Sequence, residues 1–317
     1  MFGGLHPPEA SRGVLRGRRP PPQRLKGSQL SDIAIVGVIG CGLMGSGIAE
    51  VCARAGLDVI VREVDDAAAE AGRGRIVASL ARAVSGGKLS GPERDALVER
   101  VTVTTDLSDL ADCDLVIEAA AENPEVKAAL FAELDRVVKR ADAILATNTS
   151  SIPIVRVARA TTRPGQVIGL HFFNPAPVQE LVEVIPSLLT GPDTAERATG
   201  FVTGTLGKTA ISAPDRSGFA VNALLVPYLL SAIRMLEAGQ ATAGDIDTGM
   251  TLGCAHPMGP LRLCDLIGLD TLRSIAGSMY EEFKEPLYAA PPLLCRMTTA
   301  GMLGRKAGRG FYDYGER

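Results

Sequence analysis

Residues Ile33-Ala34-Ile35-Val36-Gly37-Val38-Ile39 carry no charged or polar side chain, and they run directly into Gly40-Cys41-Gly42-Leu43-Met44-Gly45. An apolar run of this length, bounded by glycine, predicts a strand buried on both faces. A helical pattern follows to about Ala55, and Gly56 stands where a helix-ending C′ glycine belongs. Between a strand and a helix the three glycines have separate tasks. Gly40 allows the tight turn, Gly42 lets the backbone approach a pyrophosphate, and Gly45 permits close packing of helix on strand. Leu43 and Met44 open the helix, whose free N–H groups and positive end favour phosphate. A second strand is expected from Asp58, closed by Glu63 about 20 residues beyond the glycines, where an acid would hold an adenosine ribose. A carboxylate there repels a 2′-phosphate, so NAD is the expected cofactor, with Arg62 placed to soften that preference. A fold of this type that holds no dinucleotide is the alternative.

Strand and helix patterns alternate through the first two-thirds of the chain. A long amphipathic stretch covers about Ala67–Ser85, Leu115–Glu118 reads as a strand, Glu122–Lys139 as a helix with Pro124 in its first turn, and Ala143–Ala146 as a strand. That alternation predicts an α/β fold, a Rossmann-type doubly wound sheet. The pattern changes after about Leu206. Gly218–Ala238, Ala243–Leu252, Gly259–Tyr280 and Pro292–Ala300 all read as helical, with no clear strand run before Gly310-Phe311-Tyr312. The expected division is a disordered basic tail over 1–31, a cofactor domain over 32–212 and a second, all-α domain over 213–317.

Charge sharpens this division. Residues 1–30 hold six Lys or Arg against one Glu, whereas the whole chain has a net charge of −3. The mildly acidic body argues against nucleic-acid binding, and the Pro-, Arg- and Gly-rich tail is too polar to bury much surface. The apolar run from Gly218 is broken by Asn222, Pro227 and Arg234, so no membrane span is expected. The six cysteines form no CxxC pair and have no histidine at metal-ligand spacing, which predicts a reducing, cytoplasmic setting and no metal.

Two apolar runs each carry a single titratable residue. Val167–Phe173 contains His171, and Leu181–Ile185 contains Glu183. An antiparallel hairpin centred on Pro177 would set these residues opposite each other on one side of the sheet. An isolated buried carboxylate is costly to desolvate. A neighbouring imidazole supplies a hydrogen bond, and the carboxylate fixes the imidazole's tautomer, as in a general acid/base pair. The spacing is equally compatible with a satisfied core contact. Thr147-Asn148-Thr149-Ser150-Ser151 follows a strand at the carboxyl edge, where ligands bind. Ser150 there is either a donor to a substrate oxygen or a helix N-cap before Pro153. Asn222, in an apolar helix, would bond a substrate carbonyl or neighbouring backbone. His256 has no strand carboxylate to pair with and reads as structural.

Taken together, these segments resemble the L-3-hydroxyacyl-CoA dehydrogenases over about Ile33 to Tyr314, and most closely the 3-hydroxybutyryl-CoA enzymes. The resemblance is carried by Val38–Gly45, Asn148–Ser151, Gly169–Pro175, Leu181–Val184, Ser217–Asn222 and His256–Pro260, in that order and spacing. It implies an NAD-dependent oxidoreductase of fatty-acid or butanoate metabolism and a homodimer formed through the helical domain. It implies catalytic His171 and Glu183, with Ser150 and Asn222 holding substrate oxygens. It also implies cofactor contacts from Glu122, Lys127, Asn148, Asn174 and Lys306. Ser79 matches a CoA-contacting serine. The matching lysine is uncertain because Ser85-Gly86-Gly87-Lys88 departs from the family's lysine-rich run, and Lys88 is the candidate. A same-fold dehydrogenase of another hydroxy acid, or a non-catalytic NAD-binding protein, are the rival readings.

Overall fold

A computed structural model describes residues 32–315. The expected basic tail lies outside the described residues. Eight strands form one sheet: β1 Ile35–Ile39, β2 Asp58–Arg62, β3 Val101–Thr104, β4 Leu115–Glu118, β5 Ile144–Thr147, β6 Val167–Phe172, β7 Leu181–Pro186 and β8 Thr209–Ser212. Their order is β3-β2-β1-β4-β5-β6-β7-β8. All neighbours are parallel except β6 and β7. The order reverses beside β1, so a crevice opens at the carboxyl ends of β1 and β4, the switch point where ligands bind in such sheets.

The helices of the sheet region are α1 Leu43–Arg54, α2 Asp66–Ser85, α3 Gly91–Glu99, α4 Pro124–Val137, α5 Ile154–Ala158 and α6 Pro192–Gly200. Strand residues alternate between two cores, as the two-residue period requires. Val36, Val38, Leu115 and Ile117 join Ile48 and Ile76 of α1 and α2 on one face. Val116, Leu145 and Val167 join Phe131 and Leu134 of α4 on the other. The first strand starts two residues later than its apolar run, because Asp114 accepts the N–H groups of Ala34 and Ile35 before the ladder begins.

A third core belongs to α7 Val221–Glu237, α8 Ala243–Gly253, α9 Pro260–Ile267, α10 Leu269–Phe283 and α11 Pro292–Thr299. Two expectations need correction. The single helix expected over Gly259–Tyr280 is two helices, because Gly268 takes φ +99 between α9 and α10. Residues 310–312 make no strand; isolated bridges at Arg309 tie that segment together, and Asp265 holds it by accepting from the Phe311 and Tyr312 N–H groups. The short strands β3 and β8 are absent from the sequence reading, since four-residue segments carry little periodicity. Among the described residues no helix is long and apolar enough to cross a membrane.

All six thiols are free, and Cys41, Cys52, Cys113 and Cys264 are buried. Burial pushes Cys41 up to about 11, with the nearby Glu63 charge adding to the effect. It pushes Cys52 and Cys113 up to about 12. The thiolate is the reactive species, so these sites should be inert. A disulfide reagent at neutral pH should modify exposed Cys254 quickly and half-buried Cys295 slowly, with the other four reacting only after denaturation. Rapid reaction of Cys52 or Cys113 in the native protein would contradict this packing.

Candidate active site

The expected hairpin is present, with His171 paired directly to Glu183 across β6 and β7. Ile168, Leu170 and Phe172 face one core, which sends His171 to the opposite side. Gly169 on that side is required by packing, since a Cβ would lie 2.8 Å from Ile154 and 2.9 Å from Ile185. His171 Nδ1 lies 2.7 Å from Glu183 Oε2. Glu183 is fully buried, and its other oxygen accepts from the backbone N–H groups of Ala220 at 3.0 Å and Val221 at 2.9 Å, at the start of α7. With three N–H donors on the carboxylate, Nδ1 carries the proton and Nε2 is the free acceptor. Nε2 meets the Ser150 hydroxyl at 3.1 Å.

Of the two readings of Ser150, the structure removes the capping one. Ser150 does not cap α5, whose N-cap is Pro153 with no side-chain bond; its hydroxyl donates to the imidazole. The loop carrying it is held by Glu122, whose Oε1 accepts from Thr149 Oγ1 at 2.5 Å, the Ser150 N–H at 3.1 Å and Ser151 Oγ at 3.2 Å. Asn148 accepts the Phe172 N–H at 2.8 Å. Asn222 sits buried in the first turn of α7, next to the N–H groups that bind Glu183. His256 meets Tyr228 Oη at 3.2 Å, far along α7, in keeping with a structural role.

A cleft of about 350 Å³ opens beside this group. Met44, Lys127, Asn148 and Ser150 line it from the sheet side, and Asp270 and Ser274 of α10 from the helical side. Lys127 is only 1% exposed. Its Nζ donates to Glu118 Oε1 at 2.6 Å and lies 3.4 Å from Glu122 Oε2. Lys306 pairs with Asp270 at 2.7 Å at the cleft's helical wall. Asn174 is exposed on the β6–β7 connector, Ser79 is half-buried on α2, and Lys88 is exposed just beyond that helix. None of these three lines the cleft.

Glu118 escaped the sequence reading. It is fully buried and also accepts from Thr147 Oγ1 at 2.7 Å and the Ala120 N–H at 2.7 Å. The signal was available: a lone acid in an apolar strand, the same feature that marked Glu183. The α10 wall was hidden within the expected long helix.

The glycine turn can be tested for fit to a dinucleotide. Gly40 has φ +84, and a Cβ on Gly45 would fall 1.7 Å from the Gly40 carbonyl oxygen, so both are fixed by the turn itself. Gly42 differs, because a Cβ there meets nothing within 4 Å. The protein's own packing does not require glycine at that position. An open space beside the uncapped N-terminus of α1 fits a pyrophosphate. Glu63 follows the end of β2. Its Oε1 accepts the Cys41 N–H at 2.5 Å and its Oε2 the Val64 N–H at 3.1 Å, so it braces the turn. Among the described residues no cluster suits a metal ion.

Comparison with known proteins gives a consistent result. The family model described as 3-hydroxyacyl-CoA dehydrogenase, NAD binding domain, matches residues 35–216, and that of the same family's C-terminal domain matches residues 218–314. The chain is 61% identical to a 3-hydroxybutyryl-CoA dehydrogenase of Mycobacterium tuberculosis, covering 90% of this chain and 100% of the relative. The crystal structure of FadB2 from M. tuberculosis superposes with a TM-score of 0.88 at 60% identity, covering 89% of this chain and 99% of that one. The structure of (S)-3-hydroxybutyryl-CoA dehydrogenase PaaH1 from Ralstonia eutropha gives 0.85 at 41% identity, covering 90% and 100%.

The two inner glycines predict opposite phenotypes. Gly42→Ala should fold with an unchanged Tm and weaken NADH binding by about tenfold or more, since a methyl group there displaces only ligand. Gly45→Ala should lose stability before it loses affinity, because overpacking costs about 1–3 kcal/mol or more. Calorimetric titration and thermal melts of the two variants check this. A Gly42→Ala variant with wild-type NADH affinity would contradict the assignment.

Proposed function

The chain belongs to the 3-hydroxyacyl-CoA dehydrogenase family, and we propose that His171 and Glu183 carry the proton chemistry of the reaction this family performs. The protein is an NAD-dependent oxidoreductase that interconverts (S)-3-hydroxyacyl-CoA and 3-ketoacyl-CoA, with 3-hydroxybutyryl-CoA as the expected substrate. NAD, when bound, would supply the hydride chemistry at C3 of the substrate.

The observation that carries the reading is the chain from Ser150 through His171 to Glu183, opening on the cleft at one end and buried at the other. Glu183 holds Nδ1–H, so Nε2 is the acceptor at the cleft. In oxidation Nε2 takes the proton of the 3-hydroxyl. In reduction it returns that proton to the 3-keto oxygen. Ser150 orients the same oxygen by hydrogen bonding, and Asn222 in the first turn of α7 holds the thioester carbonyl. Gly40, Gly42 and Gly45, with Leu43 and Met44 at the start of α1, cradle the pyrophosphate, and Glu63 holds the ribose. Glu122, Lys127, Asn148, Asn174 and Lys306 are assigned to the cofactor, with Ser79 and Lys88 assigned to CoA.

We assign cofactor binding to residues 32–212 and substrate docking and self-association to residues 213–317. A homodimer through the helical part is supported by Leu224 and Leu252, 80% and 83% exposed on α7 and α8. A cytoplasmic location is supported by six free cysteines.

His171→Gln should bind NADH as the wild type does and lose kcat with acetoacetyl-CoA by about 10²–10⁴-fold, the usual contribution of a positioned acid/base group. Titration of NADH fluorescence and steady-state rates check this. An unchanged kcat would refute the role given to His171.

A further inference from the structure

The segment from Ser217 to Val221, which leads from β8 into α7, touches His171 and Glu183 directly and binds the residue that follows Ser150. Ser217 Oγ donates to the Ser151 carbonyl at 3.0 Å, beside Ser150, and the Ser217 N–H is held by Glu282 at 2.8 Å. Ala220 and Val221 give their N–H groups to Glu183. Between them, Gly218 takes φ +86 and Phe219 takes φ +48. Glycine adopts the left-handed region freely, whereas a phenylalanine there is disfavoured by its Cβ and persists only where the surroundings impose it.

The side chain of Phe219 is 3% exposed. Although it precedes the first helix of the helical part, its side chain belongs to the same sheet-side core as Ile154 and Ile185. The ring centroid is 5.5 Å from that of His171 at 57°, and Phe173 stands 4.7 Å from the imidazole at 62°. The left-handed turn lets one ring enter the core beneath the sheet while the next two N–H groups reach Glu183.

We propose that Phe219 is a positioning residue for the proton transfer: its ring confines the His171 imidazole against Ser150, and its left-handed backbone sets the first turn of α7 on Glu183. This rests on the acid/base reading of His171 given above. A residue that merely fills the core would change stability and leave the chemistry of surviving folded enzyme untouched. A positioning residue changes kcat and its pH dependence at constant cofactor affinity, because small displacements of a catalytic group weigh heavily on rate.

The test uses the full chain with Phe219→Leu, which keeps apolar bulk without the ring, and Phe219→Gly, which relieves the left-handed backbone. Wild type and His171→Gln are assayed beside them. Each Phe219 variant, folded by circular dichroism, should bind NADH as the wild type does and show kcat with acetoacetyl-CoA lowered on the order of tenfold to a hundredfold. KM should change far less, and the pH–rate profile should move by about half a unit or more. Wild-type kcat, or a lowered kcat with an unmoved profile, would overturn the proposal while leaving an inactive His171→Gln to uphold the acid/base reading. Failure of both Phe219 variants to fold would assign the residue to the core alone and overturn it equally. Full activity in His171→Gln would remove the acid/base reading, and this proposal with it.

Discussion

A carboxylate buried without partners is among the most costly groups a protein can enclose, and Glu183 is fully buried in the middle of a strand. Its solution is three N–H donors: one from His171 across the hairpin and two from the start of α7. Hydrogen bonds to a charged group contribute about 1.5–3 kcal/mol each, and positive charge density at the start of a helix adds to the stabilisation. The interaction therefore does three things together. It fixes the register of β6 and β7, docks the helical part against the sheet, and holds Nδ1 so that Nε2 meets Ser150, which lines the cleft. The proposed proton chemistry and the placement of α7 share one atom group.

A second buried acid supports the other wall. Glu118 holds Lys127, Thr147 and the Ala120 N–H. Lys127 lies near Glu122, and Glu122 holds the loop that presents Ser150 to His171. Two buried carboxylates, one at the end of β4 and one in the middle of β7, thus reach the same serine–histidine contact, Glu118 through Lys127 and Glu122 and Glu183 directly. Breaking a buried ion pair by removing one partner costs about 3–5 kcal/mol, so rigidity at the cleft floor is built into the stability of the sheet. The open space beside Gly42 completes the arrangement, since it is the one inner glycine of the turn that the protein's own packing does not demand.

What the sequence revealed depended on distance along the chain. The glycine turn and its acid are local signals, and the family motifs ordered them. The His171–Glu183 pairing followed from hairpin arithmetic, since two residues equidistant from Pro177 must meet if the runs pair. The remaining partners of Glu183 lie 37 and 38 residues away, and backbone donors leave no mark on composition. Ser150 was ambiguous because a hydroxyl before a helix suits both an N-cap and a site, and the fold removes only the first by turning it to His171. Glu118 had a readable signal that went unused. The α10 wall was obscured by a helical pattern that continues through Gly268, where the backbone turns in a way periodicity does not register.

The central claim is that Glu183 holds the Nδ1 proton of His171 and leaves Nε2 as the acceptor at the cleft. The tautomer can be observed directly by nitrogen-15 NMR of histidine-labelled protein, since the chain contains three histidines and His171→Gln identifies the signal. Neutral His171 should carry its proton on Nδ1, and Glu183→Gln should abolish this preference. A neutral His171 protonated on Nε2 would contradict it.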